Sequence, residues 1–245
     1  PVALIPLLLL RDLPIPPRAS AREPFDTLGA VLLAATLVAL LLALNRAGRG
    51  DTPLAVGLAV VALFGLAAFI QRERSFRAPM LPLGVFRSVD FSLLNLLNTL
   101  IHLAGFAPML LVAYYLDRQT SLGPLLGGCV LAMGPAGGVI GSSLGARSVV
   151  RLGRYPTVLL ACAIVSASLV WTATWGSSPS VWSMVGSLLS QGVGIGLLQV
   201  AYLDIVTGAL PRENRGVAGS LANLTRTLGV VLGAAGLTLV FTIAS

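Results

Sequence analysis

The stretch FSLLNLLNTLIHLAGFAPMLLVAYYL, residues 91–116, sets the expectation for the fold. It exceeds the roughly 20 residues that a helix needs to cross a bilayer, and it contains no Asp, Glu, Lys or Arg. On a helical wheel its polar side chains gather in one stripe roughly 120° wide. Because polar groups in hydrocarbon are costly, we expect this stripe to face other helices or a wet cavity. The stripe consists of Ser92, Asn95, Asn98, Thr99 and His102.

The composition is that of a membrane protein. Of the 245 residues, 56% are hydrophobic and 10% are charged, and the mean hydropathy is +0.91. A soluble domain has about 25% charged residues, so we predict an all-α, polytopic transmembrane bundle. The two cysteines, Cys129 and Cys162, lie in apolar runs, so we predict neither a disulfide framework nor a metal site. We also expect no cofactor. A single His also argues against a membrane-embedded enzyme, which needs a cluster of acid, base or metal-binding groups.

Apolar runs divide the chain into three segments. Residues 1–26 read as the end of a span that begins upstream and a Pro-rich linker, because the apolar run at 1–10 is too short to cross. Residues 27–88 hold two spans and an Arg-rich loop, and residues 89–245 hold five spans. The seven complete spans are predicted at residues 27–44, 53–70, 91–116, 123–146, 155–175, 181–210 and 217–243.

The net charge of +7 is explained by topology rather than by nucleic acid. All 16 basic residues are arginines, and 12 of them fall in alternate loops. Basic residues collect on the cytoplasmic side of short loops, so these loops and the linker are predicted to lie in the cytoplasm. They hold Arg11, Arg18, Arg22, Arg72, Arg74, Arg77, Arg87, Arg147, Arg151, Arg154, Arg212 and Arg215; the other loops hold Arg46, Arg49 and Arg118, and Arg226 lies within a span.

Glycines mark predicted sites of close helix packing. Gly137, Gly141 and Gly145 recur every fourth residue in one span, and Gly229 and Gly233 do so in the last. Small residues at this spacing allow two helix backbones to approach closely in a membrane.

Polar side chains also recur in the later spans. Gln191, Gln199 and Tyr202 fall within roughly 80° of one another on a helical wheel. Two interpretations stay open for them and for the stripe of Asn95, Asn98 and His102: they line a cavity, or they form hydrogen bonds between helices.

Two charges in successive spans suggest an ion pair. At about 1.5 Å per residue, Asp204 and Arg226 lie at depths that differ by roughly 6 Å, which an arginine side chain can reach across. We predict that they pair as a gate or proton-linked switch. The alternative is that Arg226 reaches headgroups while Asp204 faces the cytoplasmic vestibule.

Three segments resemble the fourteen-span drug:proton antiporter branch of the major facilitator superfamily. They are FDTLGAVLLAATLVALLLAL at 25–44, RERSFRAPMLPLGVFR at 72–87 and ENRGVAGSLANLTRTLGVVLGAA at 213–235. The resemblance implies that the chain comprises the end of span six, the two extra spans and spans nine to thirteen. The N-terminal half and span fourteen would then be missing.

The resemblance also implies a function and a site. In that family the first and fourth helices of each half line a central cavity, which corresponds here to residues 91–116 and 181–210. It implies proton-coupled export of amphipathic or cationic small molecules such as drugs, across the cell membrane, with the lipid bilayer, protons and the missing half as partners. The implied pathway is Asn95, Asn98, His102, Gln191, Gln199, Tyr202, Asp204 and Arg226. A dedicated exporter of a secondary metabolite and a non-transporting structural or regulatory subunit are the alternatives.

One loop departs from the family pattern. Arg151, Gly153 and Arg154 match a cytoplasmic charge-clamp motif, but Val150 stands where the family has Asp and Ala146 where it has Gly. The resemblance therefore predicts an incomplete clamp in this loop.

Overall fold

The computed structural model describes residues 26–76, 83–119, 123–176, 179–210 and 215–244, and within these ranges the chain is helical with no strand. A short 3-10 helix at Leu83–Arg87 precedes the third α-helix. The predicted end of an earlier span at 1–10 and nearly all of the predicted linker lie outside the described residues. The helices are α1 Thr27–Gly48, α2 Thr52–Ser75, α3 Val89–Gln119, α4 Pro124–Leu152, α5 Arg154–Ala173, α6 Val181–Ala209 and α7 Arg215–Ala244.

Each predicted span coincides with one of these helices. Within the described residues, α1 to α6 are long and apolar enough to cross a bilayer, α3 over Val89–Ala113. The span predicted at 217–243 lies in α7, which has 30 residues but is not among these six, so a crossing there stays a prediction. The predicted loop at 71–90 begins later than expected, because α2 continues to Ser75. Long arginine side chains let a helix extend past the apolar layer while their charges reach water.

The first two helices form a hairpin that is held at both ends. At its tight turn Gly50 has a φ of 78°, a conformation that side-chain-bearing residues rarely adopt. At its open end Asp26 caps α1, where its Oδ1 accepts a hydrogen bond from the Gly29 N–H at 2.9 Å. The Arg72 Nε of α2 lies 3.1 Å from Asp26 Oδ2. One buried carboxylate therefore both starts α1 and ties it to α2.

The remaining helices form a bundle around α6. Its residues Ala201, Tyr202 and Val206 are fully buried in a core cluster that also draws on α3, α5 and α7. α4 packs most extensively against α6, α5 packs on another side of α6, and α3 packs against α7. The hairpin reaches this bundle through contacts between α1 and α7. α6 is consequently the helix on which the other bundle elements are positioned.

The outer surface is apolar over much of its extent. Large apolar side chains such as Phe64, Leu159 and Val170 have 73%, 71% and 66% of their surface exposed. Such a surface is unstable in water but suits lipid, which agrees with the six helices that are able to span.

Candidate functional site

The first half of the polar stripe on α3 is used to hold helices together. The Asn95 Oδ1 accepts a hydrogen bond from the hydroxyl of Tyr202 on α6 at 2.7 Å, and its amide donates to the Phe91 carbonyl oxygen at 2.8 Å. Both side chains are buried. The structure therefore places Asn95 and Tyr202 in a helix–helix contact and not on a cavity wall. This arrangement corresponds to the interpretation of hydrogen bonds between helices.

Asn98 makes a second contact of this kind. Its Nδ2 donates to the Thr225 Oγ1 of α7 at 2.7 Å, and the side chain is fully buried. The Asn98 Oδ1 has no hydrogen-bond partner among the described residues. Asn98 thus joins α3 to α7, and the placement of this residue on a cavity wall is corrected as well, because its side chain points into the neighbouring helix.

A cavity of about 640 Å³ lies between α3, α4, α6 and α7. Its polar wall includes four residues of the predicted pathway: His102 of α3, Gln191 and Gln199 of α6, and Arg226 of α7. Ligand pockets for drug-sized molecules typically have about 300–1,000 Å³, so the volume suits a small organic molecule. The apolar wall includes Phe106, Leu131, Val139, Leu188, Ile195 and Val230.

His102 is fixed in one ring orientation by the turn of helix before it. Its Nδ1 lies 2.8 Å from the Asn98 carbonyl oxygen. Because a carbonyl oxygen only accepts, Nδ1 must carry the hydrogen of this bond, and in the neutral ring Nε2 then carries a lone pair. Within the described chain Nε2 has no partner, so the cavity wall includes a histidine whose second nitrogen is available.

Gln191 links the two helices that face each other across the cavity. Its Nε2 donates to the Gly105 carbonyl oxygen of α3 at 3.3 Å. The side chain therefore serves both interpretations considered from the sequence, since it bridges two helices and also lines the cavity.

Arg226 lies on the cavity wall and not in the predicted ion pair. The Asp204 carboxylate instead contacts the Arg154 guanidinium, with Oδ2 and Nε 2.5 Å apart. The pairing of Asp204 with Arg226 was wrong because a match in depth does not show which neighbours two side chains face. Asp204 faces α5, whereas Arg226 faces the cavity. Among the described residues, no carboxylate pairs with Arg226.

The charge-clamp motif contributes one ion pair despite its departures from the family pattern. Gly153 has a φ of 95°, which ends α4 and lets α5 begin at the next residue. This abrupt change of direction points Arg154 at Asp204. The ion pair that the loop can form therefore joins α5 to α6, without an acidic residue at Val150.

The α4–α6 wall of the cavity is made of two backbones in close contact. A methyl group added at Gly137 or Gly141 would collide with backbone atoms of Leu189 or Val193, and one at Gly145 would lie 3.0 Å from the Cβ of Val200. From the other side, Gly192 and Gly196 face the backbone at Gly134 and Gly138. Glycine on both helices thus lets α4 and α6 form a thin wall.

The last helix is positioned in the same way. A methyl group at Gly229 would collide with α3 at Thr99, and one at Gly233 would lie 2.7 Å from the Leu103 carbonyl oxygen. The structure therefore places all five glycines singled out from the sequence at close approaches. It also shows that Gly192 and Gly196 of α6 are the partners of α4, which the four-residue glycine repeat in α4 did not reveal by itself.

Several cavity residues were not recognised from the sequence. Pro135, Ser142 and Ser143 of α4 line the cavity, as does Phe106 of α3. The two adjacent serines in an otherwise apolar and glycine-rich span were a signal that α4 lines a cavity. Phe106 carried none, because one aromatic residue in an apolar run is common on any face.

Comparison with known proteins now gives the family. The sequence profile of the Major Facilitator Superfamily matches residues 17–234. The chain belongs to the Major Facilitator Superfamily.

The similar proteins include transporters with different named substrates. The riboflavin transporter RibZ of Clostridioides difficile is 24% identical over 96% of this chain and 51% of its own length. The multidrug efflux pump LfrA of Mycolicibacterium smegmatis is 24% identical over 98% and 48%. The puromycin resistance protein of Streptomyces alboniger is 30% identical over 96% and 48%. The chain spans about half the length of these curated relatives.

Proposed function

We propose that this chain is the C-terminal half of a proton-coupled exporter of amphipathic small molecules in a bacterial cell membrane. The observation that carries the proposal is the cavity between α3, α4, α6 and α7, which combines an apolar wall with His102, Gln191, Gln199 and Arg226. An apolar wall with a few polar groups is the usual composition of a site for drug-sized ligands. Membership of the superfamily and the similarity to drug-resistance transporters support transport as the activity.

The proposal assigns a partner half to the chain. Transporters of this superfamily contain two repeated halves, with the substrate site at the interface between them near the middle of the membrane. Because the chain spans about half of its curated relatives, the second cavity wall would come from an N-terminal half. The fourteen-span arrangement, with α1 and α2 as the two extra spans, is part of this proposal.

His102 is the candidate for proton coupling in this half. Its neutral Nε2 can accept a hydrogen bond from a substrate hydroxyl or amine, and protonation removes that acceptor. Substrate and proton would then compete for one atom, which is what exchange in opposite directions requires. The charged group that shares the cavity wall is Arg226 of α7, while α4 and α6 contribute no titratable side chain to it.

The test uses inverted membrane vesicles that contain the complete transporter. An imposed gradient, acidic inside, should drive accumulation of at least one of two dyes, anionic fluorescein and cationic ethidium, and a protonophore should abolish the accumulation. His102→Ala should bind the dye more weakly, because one hydrogen-bond acceptor is lost, and should lose the dependence of transport on the gradient. Gradient-driven transport that is unchanged in this variant between pH 6 and 8 would leave His102 as a packing residue.

A dedicated exporter of one compound is the second candidate. The observation in its favour is that two of the relatives, the riboflavin transporter and the puromycin resistance protein, are each named for a single compound. A panel of structurally unrelated dyes and antibiotics distinguishes the two. Export of several classes supports a multidrug exporter, and export of one class supports the dedicated function.

Orientation is a separate part of the proposal. The arginine distribution predicts that residues 11–26, 71–90, 147–154 and 211–215 are cytoplasmic. A single cysteine at Ser75 should resist an impermeant thiol reagent in intact cells, and one at Ser178, which lies outside the described residues, should react. The reverse labelling pattern would invert the topology.

A further inference from the structure

We infer that the cavity selects a substrate carrying an anionic group, a carboxylate or phenolate, and that Arg226 binds that group. The inference rests on the proposed function and specifies its substrate class. It departs from the expectation of cationic substrates, because the charge that this half contributes to the cavity is positive.

Arg226 lies far from either end of α7. Its side chain lines the cavity in the middle of α7, eleven residues from the first residue of that helix, Arg215. At about 1.5 Å per residue, the Cα lies roughly 16 Å along the helix from its start. With α7 crossing the membrane as the sequence predicts, this is well inside a bilayer core about 30 Å thick. A charge at that depth is costly unless it meets water or an opposite charge.

The described part of the cavity wall holds no counter-charge for Arg226. Among the described residues, no carboxylate lines the cavity. Asp204 is engaged with Arg154, Asp26 with Arg72, and Asp51 with Arg46, at the ends of their helices. The cavity wall formed by this chain therefore has a positive charge that these carboxylates do not neutralise.

A guanidinium on an apolar cavity wall is suited to bind a carboxylate. A guanidinium group presents a planar fork of donors that matches both oxygens of a carboxylate, and charge-assisted hydrogen bonds of this kind are about twice as strong as neutral ones. His102 adds an acceptor on the same wall for a neighbouring hydroxyl, and Gln199 adds an amide. The apolar wall accommodates an aromatic body. The substrate class is thus an aromatic or otherwise apolar molecule with an acidic group.

The experiment compares two dyes built on the same xanthene ring system, anionic fluorescein and cationic rhodamine 6G. Fluorescence anisotropy measures their binding to the purified transporter in nanodiscs, at a pH about two units above the ordinary His pKa of ~6.5 so that His102 is neutral. The wild type should bind fluorescein more tightly than rhodamine 6G. Arg226→Gln should weaken fluorescein binding by about tenfold or more and leave rhodamine 6G unchanged or tighter, since a hydrogen bond to a charged group is lost.

Two variants serve as controls. Arg226→Lys keeps the charge but loses the planar fork, so it should retain the preference for fluorescein at reduced affinity. Arg74→Gln removes the same charge from an exposed position at the end of α2 and should change neither affinity. If Arg226→Gln does not fold, Gln199→Glu tests the same field by placing a negative charge on the cavity wall, and it should weaken fluorescein binding selectively.

Several results would overturn the inference. They are a wild type that binds rhodamine 6G as tightly as fluorescein or binds neither dye, equal losses for both dyes in Arg226→Gln, and no loss in Gln199→Glu. Equal losses would indicate that Arg226 pairs with an acidic residue of the other half. Transport separates this failure from that of the proposed function, because gradient-driven export without dependence on Arg226 contradicts the inference alone. Binding without gradient-driven export contradicts proton coupling alone.

Discussion

The α1–α2 hairpin and the α3–α7 bundle are both made of long apolar helices, yet they use polar residues in opposite ways. In the hairpin, the ion pair between Asp26 and Arg72 lies at the helix ends, and the helices between carry exposed side chains such as Phe64. In the bundle, polar groups lie in the middle of the helices, where they either join neighbours or line a cavity. Polar groups are costly in hydrocarbon, so this difference favours the bundle as the functional region and the lipid-facing periphery as the position of the hairpin.

The largest expected effect comes from the thin α4–α6 wall. Gly141→Ala places a methyl group against the Val193 backbone, and we expect a loss of about 1–3 kcal/mol or more in stability because neither backbone can move freely. Gly128→Ala in the same helix meets nothing within 4 Å and gains helix propensity, so it should be neutral or stabilising. The melting temperature of each variant is measured by heating samples and determining the yield of folded protein by gel filtration. Equal melting temperatures for the two variants would show that the close approach does not contribute.

The fold was largely accessible from the sequence, because the length and polarity of each apolar run determine where a helix must start and stop. The ends were less accessible. α2 and α4 continue past the apolar runs through Arg72 and Arg151, whose side chains reach beyond the apolar layer.

The site was only partly accessible, because a helical wheel shows that residues share a face but not what that face meets. Asn95, Asn98 and His102 share one stripe, yet the first two meet Tyr202 and Thr225 while the third lines the cavity. This division depends on where α6 and α7 cross α3. The same limitation explains why Asp204 was paired with the wrong arginine.

The next prediction sharpens the distinction between joining and lining residues. Tyr202→Phe removes the hydrogen bond to Asn95 and should lower stability by about 0.6 kcal/mol, the average for such bonds between membrane helices, and by no more than about 1.7 kcal/mol. Dye affinity should stay within about twofold because Tyr202 does not line the cavity. Tyr115→Phe is the matched control, since its hydroxyl donates to the Gly176 carbonyl oxygen at 2.6 Å in an exposed position. A large loss of affinity with unchanged stability in Tyr202→Phe would return Tyr202 to the pathway.

A smaller effect is expected at the Asp204–Arg154 pair, because both side chains are about half exposed, at 41% and 53%. Exposed ion pairs contribute about 0.2–1 kcal/mol, so Asp204→Asn should destabilise by no more than that. Exchanging the pair, Asp204→Arg with Arg154→Asp, should restore stability, whereas Asp204→Arg with Arg226→Asp should not. Restoration by the second exchange alone would support the pairing predicted from the sequence.

The smallest signal is a pH dependence in the hairpin. Burial raises the pKa of the Asp26 carboxyl. The hydrogen bond from the Gly29 N–H and the Arg72 guanidinium lower it by more than burial raises it, so the net pKa lies below its ordinary value of 3.8. A lowered pKa in the folded state means that the carboxylate contributes stability above pH 3.8 and loses it as the pH falls through the lower folded value. Asp26→Asn should therefore have a lower melting temperature than the wild type near neutral pH. The gap should narrow below pH 3.8; a gap that widens with acid would contradict this assignment.

The most direct test of the central claim is whether water reaches the cavity wall and not the exposed apolar outer surface. In a transporter with Cys129 and Cys162 replaced, single cysteines at Ser142 and Gln199 line the cavity, whereas cysteines at Leu159 and Phe64 lie on outer faces. A water-soluble thiol reagent should modify the first two and leave the last two unmodified, since thiols in lipid stay protonated and unreactive. Equal labelling of all four positions, or labelling of Leu159 and Phe64 alone, would contradict the account.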